Sequence, residues 1–195
     1  MRVIAGTYRS RILKSLKGLA LRPTSDRLRE TLFNVLGPEV AGSRFLDLFA
    51  GTGAIGIEAL SRGAAEAVFV EHHAPAAALI RRNLESLNIR NGATVLAVDA
   101  LRGMAMLAAR EKTRIAGFNY IFIDPPYAAA NEYARVLELL GSRNLLAPGG
   151  VVIAEHRRSF ELPEEAGVLE CRRVLQQGDA ALSFYRRARA ASGKE

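Results

Sequence analysis

The segment F-I-D-P-P-Y-A at residues 122–128 combines residue types suited to chemistry on an amino group of a flat ring. Two successive prolines end any strand that they meet, since neither donates a hydrogen bond and each fixes its own φ. The turn therefore offers two acceptors, the Asp124 carboxylate and the Pro125 carbonyl, without an N–H at Pro125 or Pro126. Tyr127 is placed to stack on a base. The alternative is a rigid turn whose aspartate only caps a helix.

A second segment, D-L-F-A-G-T-G-A-I-G at residues 47–56, contains G-x-G-x-x-G between an expected strand and an expected helix. Glycines at these positions allow a ligand to approach the backbone, and Glu71, which follows Gly51 by 20 residues, is placed to hold ribose hydroxyls. The pattern fits any adenosine-containing ligand, or tight packing alone. Asp47 opposes a pyrophosphate and suits a ligand with an ammonium or sulfonium group.

Acidic residues end four successive expected strands, at Asp47, Glu71, Asp99 and Asp124. A single aspartate at such a position is often a helix N-cap. Four carboxylates around a glycine turn are harder to explain as caps. They fit a cationic adenosine compound, and S-adenosylmethionine is the obvious candidate.

The elements that must position these residues follow an alternating rhythm. Expected strands cover 44–49, 66–71, 93–98, 118–124 and 150–155, and expected helices cover 54–62, 75–88, 101–111 and 131–142. This alternation predicts an α/β fold with a parallel sheet and right-handed crossovers, which binds ligands at the carboxyl ends of its strands. Residues 167–175 and 180–187 predict an antiparallel hairpin at the sheet edge. A helix at 25–36 has Thr24 or Ser25 as its N-cap.

Composition indicates an ordinary globular chain, with 195 residues of which 49% are hydrophobic and 24% are charged. No apolar run reaches the roughly 20 residues that span a bilayer, and the start lacks the apolar core of a secretory signal, so we expect a cytoplasmic protein. The only cysteine, Cys171, excludes an internal disulfide, and with three histidines it predicts no metal site. We expect a monomer.

The net charge of +7 is confined to the first 29 residues, which hold eight basic side chains and one acidic one, while the rest of the chain holds 19 of each. The charge excess indicates either a solvated basic tail or a surface that binds a polyanion. The segment R-V-I-A-G-T-Y-R-S-R-I-L mixes β-branched and aromatic residues with arginine, which predicts a small ribbon with a basic face. Candidate phosphate contacts are Arg2, Arg9, Arg11, Lys14, Arg22 and Arg27.

Taken in order, D-L-F-A-G-T-G-A-I-G-I-E-A-L, V-E-H-H and D-P-P-Y resemble the class I S-adenosylmethionine-dependent methyltransferases, and D-P-P-Y is similar to the motif of those that methylate exocyclic amines. The stretch L-R-P-T-S-D-R-L-R-E-T-L-F-N-V-L at 21–36 and the basic start resemble the RsmD family, which methylates N2 of a guanine in 16S ribosomal RNA of the small subunit. The resemblance runs from about residue 2 to residue 187.

This resemblance implies a Rossmann-like domain at 25–187 with a mostly parallel seven-stranded sheet, helices on both faces and a C-terminal antiparallel hairpin. It also implies a basic N-terminal β-ribbon at 1–24 and a polar tail at 188–195. S-adenosylmethionine is the implied cofactor, and 16S rRNA within an assembling small subunit is the implied partner. The implied catalytic residues are Asp124, Pro125, Pro126 and Tyr127, and the implied cofactor residues are Asp47, Ala50, Gly51, Gly53, Glu71, Asp99, Ala100 and Thr24.

Three other classes of protein remain as alternatives. A DNA adenine-N6 methyltransferase shares D-P-P-Y, but the chain leaves little room for a separate target-recognition domain. A nicotinamide-dependent oxidoreductase would use G-T-G-A-I-G, against which Asp47 and D-P-P-Y argue. An RNA-binding protein without enzymatic activity would leave the four strand-end acids unexplained.

Overall fold

The computed structural model describes residues 1–15, 24–111, 117–125, 130–142 and 144–188, without the side chains of residues 111 and 130–132. Its helices are α1 (Asp26–Leu36), α2 (Ala54–Ser61), α3 (Ala74–Ser86), α4 (Ala100–Glu111) and α5 (Ala130–Ser142), with a 3₁₀ turn at Gly37–Val40. Its strands are β1 (Arg44–Leu48), β2 (Glu66–Val70), β3 (Ala93–Leu96), β4 (Phe118–Ile123), β5 (Leu146–Arg157), β6 (Glu165–Ala166), β7 (Leu169–Gln177) and β8 (Ala180–Arg187).

All described strands join one sheet in the order β3-β2-β1-β4-β5-β8-β7-β6. The first five strands pair in parallel, and β8 returns antiparallel to β5. Because β1 pairs with both β2 and β4, the chain reverses its direction of winding at β1, and the carboxyl ends of β1 and β4 flank a crevice. The predicted α/β fold with a C-terminal hairpin is confirmed.

Several strand boundaries differ from the prediction. The first strand of the hairpin covers Leu169–Gln177 instead of 167–175, and β5 ends at Arg157 instead of residue 155. A two-residue strand, β6, pairs with β7 and makes the sheet eight-stranded rather than seven-stranded. The third strand ends at Leu96 instead of residue 98, because its ladder to β2 stops where β2 ends. The fifth strand begins at Leu146, ahead of an irregularity at which the register jumps, and regular pairing resumes at Val151, one residue after the predicted start at 150.

Two apolar clusters cover the two faces of the sheet. Phe45, Phe69, Phe122 and Ile153 belong to the cluster on the side of α1, α2 and α3. The other cluster contains residues of α4 and α5, including Met104 and Leu137, against the opposite face. Burial on both faces is what a parallel sheet with right-handed crossovers requires. No helix of the described chain is long and apolar enough to cross a membrane.

Residues 1–15, here called the N-terminal arm, fold back on themselves with one antiparallel bridge between Arg2 and Ile12, and residues 16–23 of the ribbon predicted at 1–24 lie outside the described residues. Val3 donates its N–H to the carbonyl of Arg11 at 3.0 Å, and Leu13 donates to that of Met1 at 3.1 Å. The Val3 and Leu13 side chains are almost fully buried in the cluster that also holds Leu28 of α1. The N-terminal arm therefore shares the core of the sheet domain.

A buried carboxylate of α2 anchors the start of this arm. Glu58 is fully buried and accepts the N–H of Ile4 at 2.8 Å and that of Ala5 at 3.0 Å. Its carboxylate also accepts from Arg62 Nε at 2.8 Å and lies 4.0 Å from Nε of the fully buried Arg29. The glutamate thus balances a buried guanidinium and satisfies two arm amides at once.

The arm passes directly over the end of α2. Thr7 donates its N–H to the carbonyl of Ser61 at 2.7 Å, and Tyr8 donates to the Ser61 hydroxyl at 3.0 Å. A Cβ at Gly6 would lie 1.8 Å from the same carbonyl oxygen, and Gly6 has φ +81°. Only glycine permits this approach.

Asn83 of α3 links the end of the arm to the turn after β1. Its Oδ1 accepts the N–H of Lys14 at 2.9 Å, and its Nδ2 donates to the carbonyl of Lys14 at 3.2 Å. The same Nδ2 lies 3.3 Å from the carbonyl of Thr52, within the glycine turn. One fully buried amide therefore fixes both segments.

Candidate active site

The turn from β1 to α2 leaves its backbone open to a ligand. Phe49 and Gly51 have φ of +66° and +53°, and Gly53, with φ +78°, is the N-cap of α2. A Cβ at Gly51 would meet only one atom, 4.0 Å away. A Cβ at Gly56 would lie 2.3 Å from the Phe69 ring, so the third glycine lets α2 pack closely on the sheet. The motif thus combines an accessible turn with a tightly packed helix.

Glu71, which follows β2, is positioned at this turn. It is 5% exposed, and its Oε2 accepts the N–H of Gly51 at 2.7 Å. Its Oε1 accepts the N–H of His73 at 2.7 Å and lies 3.3 Å from Nδ1 of His72. The acid and the first glycine, separated by 20 residues in sequence, are therefore in direct contact.

Asp47 lies within β1 rather than beyond its end. Its side chain is 2% exposed, and its Oδ2 accepts the N–H of Gly56 at 3.0 Å. Burial raises the pKa of Asp47 to about 7, the Gly56 hydrogen bond opposes this shift, and the negative charges of Glu71 and Glu155 add to it. A ligand cation at this carboxylate would relieve the cost of its charge, and this fits the sulfonium and ammonium groups of S-adenosylmethionine.

Asp124 follows β4 and stands beside Glu155 of β5. The register pairs Ile123 with Ala154, so the next residue on each strand is an acid. Phe122 and Ile153, two residues earlier, both face the α1 side, and side chains alternate along a strand. Burial, then the charge of Glu155, then that of Asp47 raise the pKa of Asp124 well above its usual range.

Glu155 was not singled out from the sequence, although it ends the expected strand 150–155 as the other acids end theirs. It is 4% exposed, and its Oε2 accepts the hydroxyl of Thr24 at 2.7 Å. Its backbone carbonyl accepts the hydroxyl of Tyr133 in α5. Of the two N-cap candidates, Ser25 caps α1 by accepting the N–H of Leu28 at 3.1 Å. Thr24 instead contacts the sheet.

The remaining predicted cofactor residues lie at the same edge of the sheet. Ala50 is buried and donates its N–H to the carbonyl of Val70 at 3.0 Å. Asp99 is exposed and its Oδ1 accepts the N–H of Arg102 at 2.9 Å, so it serves as an N-terminal cap of α4. Ala100 is the buried first residue of that helix.

Parts of the predicted catalytic set and of the predicted phosphate-contact set lie outside the described residues. Pro125 is buried directly after Asp124, whereas Pro126, Tyr127 and Arg22 fall outside the described ranges. The other predicted phosphate contacts, Arg2, Arg9, Arg11, Lys14 and Arg27, are all exposed. Arg29, which the sequence counted toward the basic surface, is fully buried instead, because α1 turns it toward Asp26 and Glu58.

Comparison with known proteins gives concordant matches over nearly the whole chain. The family model described as Conserved hypothetical protein 95 matches residues 1–186. A Bacillus subtilis protein described as putative rRNA methyltransferase YlbH is 40% identical over 187 residues, with 96% of this chain and 99% of that protein covered. Ribosomal RNA small subunit methyltransferase D of Escherichia coli K12 is 33% identical, with 96% and 90% covered. The solved structure of putative methyltransferase yhhF from Escherichia coli matches with a TM-score of 0.80 and 31% identity, covering 96% of this chain and 97% of that one.

The sheet reverses at β1, and a glycine turn lies in the reversal crevice. Asp47, Glu71 and Glu155 are buried acids at this crevice, and the partly buried Asp124 follows β4. Together with the match to the solved methyltransferase structure, these features define a class I S-adenosylmethionine-dependent methyltransferase. S-adenosylmethionine is accordingly the cofactor, as the sequence predicted. The chain belongs to the RsmD family, whose model spans it from residue 1 to residue 186. The nicotinamide-dependent alternative is thereby set aside.

Proposed function

We propose that this chain transfers a methyl group from S-adenosylmethionine to the exocyclic N2 amine of a specific guanine in 16S ribosomal RNA. We further propose that it acts as a cytoplasmic monomer on an assembling small subunit. Two relatives carry rRNA methyltransferase in their names, and one of these names specifies the small ribosomal subunit. The observation that carries the proposal is the Asp124 carboxylate at the end of β4, followed by Pro125 and next to the crevice beside the glycine turn.

The proposed chemistry explains why acceptors are placed there. The lone pair of a guanine N2 amine is delocalised into the ring, so the amine is a poor nucleophile. An ionised Asp124 and the carbonyl of Pro125 would accept its two N–H groups and favour a pyramidal nitrogen with an exposed lone pair. S-adenosylmethionine supplies an electrophilic methyl group on a positively charged sulfur. In the proposed transfer, the nitrogen lone pair would form the new bond to the methyl carbon while the carbon–sulfur bond breaks with its electron pair going to sulfur, and the nitrogen would release its proton to the Asp124 carboxylate or to water.

Placement supplies most of the rate enhancement in this proposal. Holding the nitrogen in line with the methyl carbon and sulfur removes the entropic cost of their encounter. A proline has no N–H that competes for the acceptors, and its fixed φ reduces reorganisation of the turn. Tyr127 would stack on the base, in the way that aromatic side chains hold a nucleotide outside its helix.

Cofactor contacts are proposed from the same edge of the sheet. Asp47 would bind the positively charged part of the cofactor, above the open backbone of Gly51 and next to Gly53. Glu71 would take the ribose hydroxyls, since its carboxylate already lies on the glycine turn. Asp99 would accept the adenine amino group while its other oxygen caps α4.

RNA contacts are proposed for the N-terminal arm and α1. The guanidinium groups of Arg2, Arg9 and Arg11 are exposed on a ribbon that the core holds in place. Lys14 and Arg27 extend the same basic set. Contacts of this kind bind phosphates and position RNA without reading its sequence.

The decisive experiment is transfer of radiolabelled methyl from S-adenosylmethionine to small ribosomal subunits purified from a strain that lacks this protein, followed by nucleoside analysis. The proposal predicts N2-methylguanosine at one position of the 16S rRNA. Subunits from the parent strain, already methylated, are the control and should take up little label. Label in DNA as N6-methyladenine, tested in parallel, would instead establish the DNA methyltransferase alternative.

A further inference from the structure

Glu155 is a buried acid near the carboxyl end of β5, next to Asp124. The proposed chemistry assigns this residue no role. It follows Ala154, whose register partner Ile123 precedes Asp124, so the two acids stand on adjacent strands. Backbones of adjacent strands lie about 5 Å apart, and both side chains face the α1 side of the sheet. A buried carboxylate this close to another is costly, which suggests that it is kept for function.

We propose that Glu155 is a positioning residue for methyl transfer. Its side chain holds Thr24 by a hydrogen bond at the carboxyl ends of β4 and β5, and its charge governs whether Asp124 carries a proton. This inference rests on the proposed function, because it concerns the group that would hold the substrate amine. It adds a role for a residue on β5 to a site otherwise built from β1, β2 and β4.

The first part of this role is geometric. The hydroxyl of Thr24 donates to Oε2 of Glu155 at 2.7 Å, across 131 residues of sequence. Thr24 directly precedes Ser25, the N-cap of α1, so this hydrogen bond fixes where the chain enters α1. The Tyr133 hydroxyl holds the backbone of Glu155 from α5, on the opposite side of the sheet. Glu155 therefore has a fixed position between two helices.

The second part of the role is electrostatic. Among the described residues, the charges acting on Asp124 are those of Glu155 on β5 and Asp47 on β1, and both add to burial in raising its pKa. Around this group, Glu71 at the end of β2 acts on Asp47, and α2 contributes the N–H of Gly56 to Asp47. α1 contributes the neutral Thr24 hydroxyl, and α5 contributes the neutral Tyr133 hydroxyl.

Removal of the Glu155 charge therefore makes Asp124 ionise at lower pH. Only the ionised carboxylate can accept both an N–H and, after transfer, a proton from the amine, so the acidic limb of the rate profile follows this ionisation. Because the acids are coupled, the limb reports an apparent pKa of the group rather than of one residue.

Two substitutions separate the two parts of the role. Glu155→Gln removes the charge but keeps the shape and an oxygen that accepts from Thr24. Thr24→Val keeps the shape and all charges but removes the hydrogen bond. Glu165→Gln, at an exposed site on the distant strand β6, makes the same charge change away from the site and is the matched control.

The test is kcat for methyl transfer to unmethylated small subunits at saturating S-adenosylmethionine, measured from pH 5 to pH 9 for wild type and the three variants. We expect the acidic limb of Glu155→Gln to move to lower pH by about 0.5 to 1 unit, as expected for loss of one nearby like charge. Thr24→Val should leave the limb in place and lower kcat at every pH, and Glu165→Gln should match wild type.

The inference would be overturned if the acidic limb of the Glu155→Gln profile stayed at the same pH as in wild type. It would also be overturned if kcat fell equally at every pH with no shift of the limb, because that result indicates a structural role alone. Cofactor affinity and melting temperature are measured for each variant, so a misfolded protein is recognised. If Glu155→Gln fails to fold, Glu155→Asp provides the second test, since it keeps the charge and should keep the limb at the wild-type pH. Absence of transfer by the wild-type enzyme would contradict the proposed function itself.

Discussion

The acidic side chains in and around the site differ in how many backbone N–H groups they accept. Glu71 and Glu58 each accept two backbone N–H groups, and these hydrogen bonds stabilise their charge. Asp47 has one such bond, to Gly56, and acids for neighbours. The first pair of acids is therefore already satisfied by the fold, whereas a ligand that provides a positive charge or donors would relieve the cost of charge on Asp47 and Asp124.

Asp124→Ala should abolish methyl transfer and spare cofactor binding. Without the carboxylate, the substrate amine loses its main acceptor, and we expect kcat to fall by roughly 100-fold or more. Affinity for S-adenosylmethionine, measured by calorimetry, should stay within about threefold because Asp124 is proposed to hold the substrate amine, and the proposed cofactor acids Asp47 and Glu71 are unchanged. If methyl transfer and affinity for S-adenosylmethionine fell by equal factors, Asp124 would contact the cofactor rather than the substrate amine.

Asp47→Asn should stabilise the cofactor-free protein at high pH. The folded-state pKa of about 7 lies above the ordinary value of 3.8, so between these values the folded state binds more protons than the unfolded state. The free energy of unfolding therefore falls as pH rises from about 4 to 7, and Asn removes this loss.

Urea unfolding without cofactor gives the measurement for Asp47→Asn. The variant should exceed wild type by on the order of 4 kcal/mol at pH 8, and the difference should vanish near pH 4. Its affinity for S-adenosylmethionine should fall in the same preparation. A variant less stable than wild type at pH 8 would show that the carboxylate is stabilised by the fold alone.

Among the elements, α2 has two functions. Its amino end forms the glycine turn, and Gly56 in its first half allows close packing on the Phe69 ring. Its carboxyl half carries Glu58 and Ser61, which hold the N-terminal arm. One short helix thus joins the cofactor crevice to the basic ribbon, and Asn83 of α3 makes the same connection a second time.

Glu58→Gln should detach the arm. Glutamine has one acceptor oxygen, so an arm amide loses its partner, and the buried Arg29 loses its balancing charge. We expect a loss of about 3 kcal/mol in the free energy of unfolding, the usual range when one member of a buried pair is removed. Amide hydrogen exchange at residues 3–13 should accelerate more than exchange in the strands.

A partly exposed ion pair provides the control for Glu58→Gln. Glu170 contacts Arg172 at 2.5 Å on the hairpin, with side chains that are 34% and 44% exposed. Glu170→Gln should change stability by no more than about 1 kcal/mol. If the two variants lose equal stability, Glu58 is not the anchor of the arm.

In the molecule as a whole, the exposed basic side chains of the arm and α1 and the cofactor turn are carried by one hydrophobic core. Five predicted phosphate contacts are exposed on the arm and α1, which pack on the same core as the cofactor turn. RNA bound there would be held in a fixed relation to Asp124. Positioning by the arm, rather than sequence reading, would then select the target nucleotide.

Arg9→Ala combined with Arg11→Ala should weaken binding to small-subunit RNA and flatten its salt dependence. Removing one arginine–phosphate ion pair lowers the slope of log affinity against log salt concentration by about 0.7 to 0.9, so the slope should shrink by up to about 2. Arg172→Ala with Arg173→Ala makes the same charge change at exposed sites on β7 and is the control. An equal effect from this pair would extend the RNA surface to the hairpin.

Sequence patterns predicted most of the sheet and several of the residues that the structure places at the carboxyl ends of its strands. Periodic strands and helices were sufficient for the parallel sheet, and glycine spacing correctly brought Glu71 to Gly51. A two-residue strand such as β6 has no periodicity to detect. The boundaries of β3 and β5 depend on where the partner strand ends and on an irregular register, neither of which is local in sequence.

Sequence patterns did not predict the roles of side chains whose partners are distant in the sequence. Glu58 lies in an apolar helix, and its partners are backbone amides more than 50 residues earlier. Arg29 was counted as surface charge because burial of a guanidinium depends on tertiary packing. The choice between Thr24 and Ser25 as the N-cap was decided by Glu155, on a strand near the other end of the chain.

The anchoring of the arm also constrains the order of events during synthesis. Gly6 and its neighbours bind Ser61, and Lys14 binds Asn83, so the arm has no docking site until those residues have left the ribosome. At about 5–20 residues per second, the interval from Gly6 to Ser61 lasts roughly 3 to 11 s. During that time the most basic segment of the chain is a free polycation beside ribosomal RNA. The basic segment of the nascent chain is therefore close to ribosomal RNA, the class of substrate that we propose, before the arm can dock beside the cofactor turn.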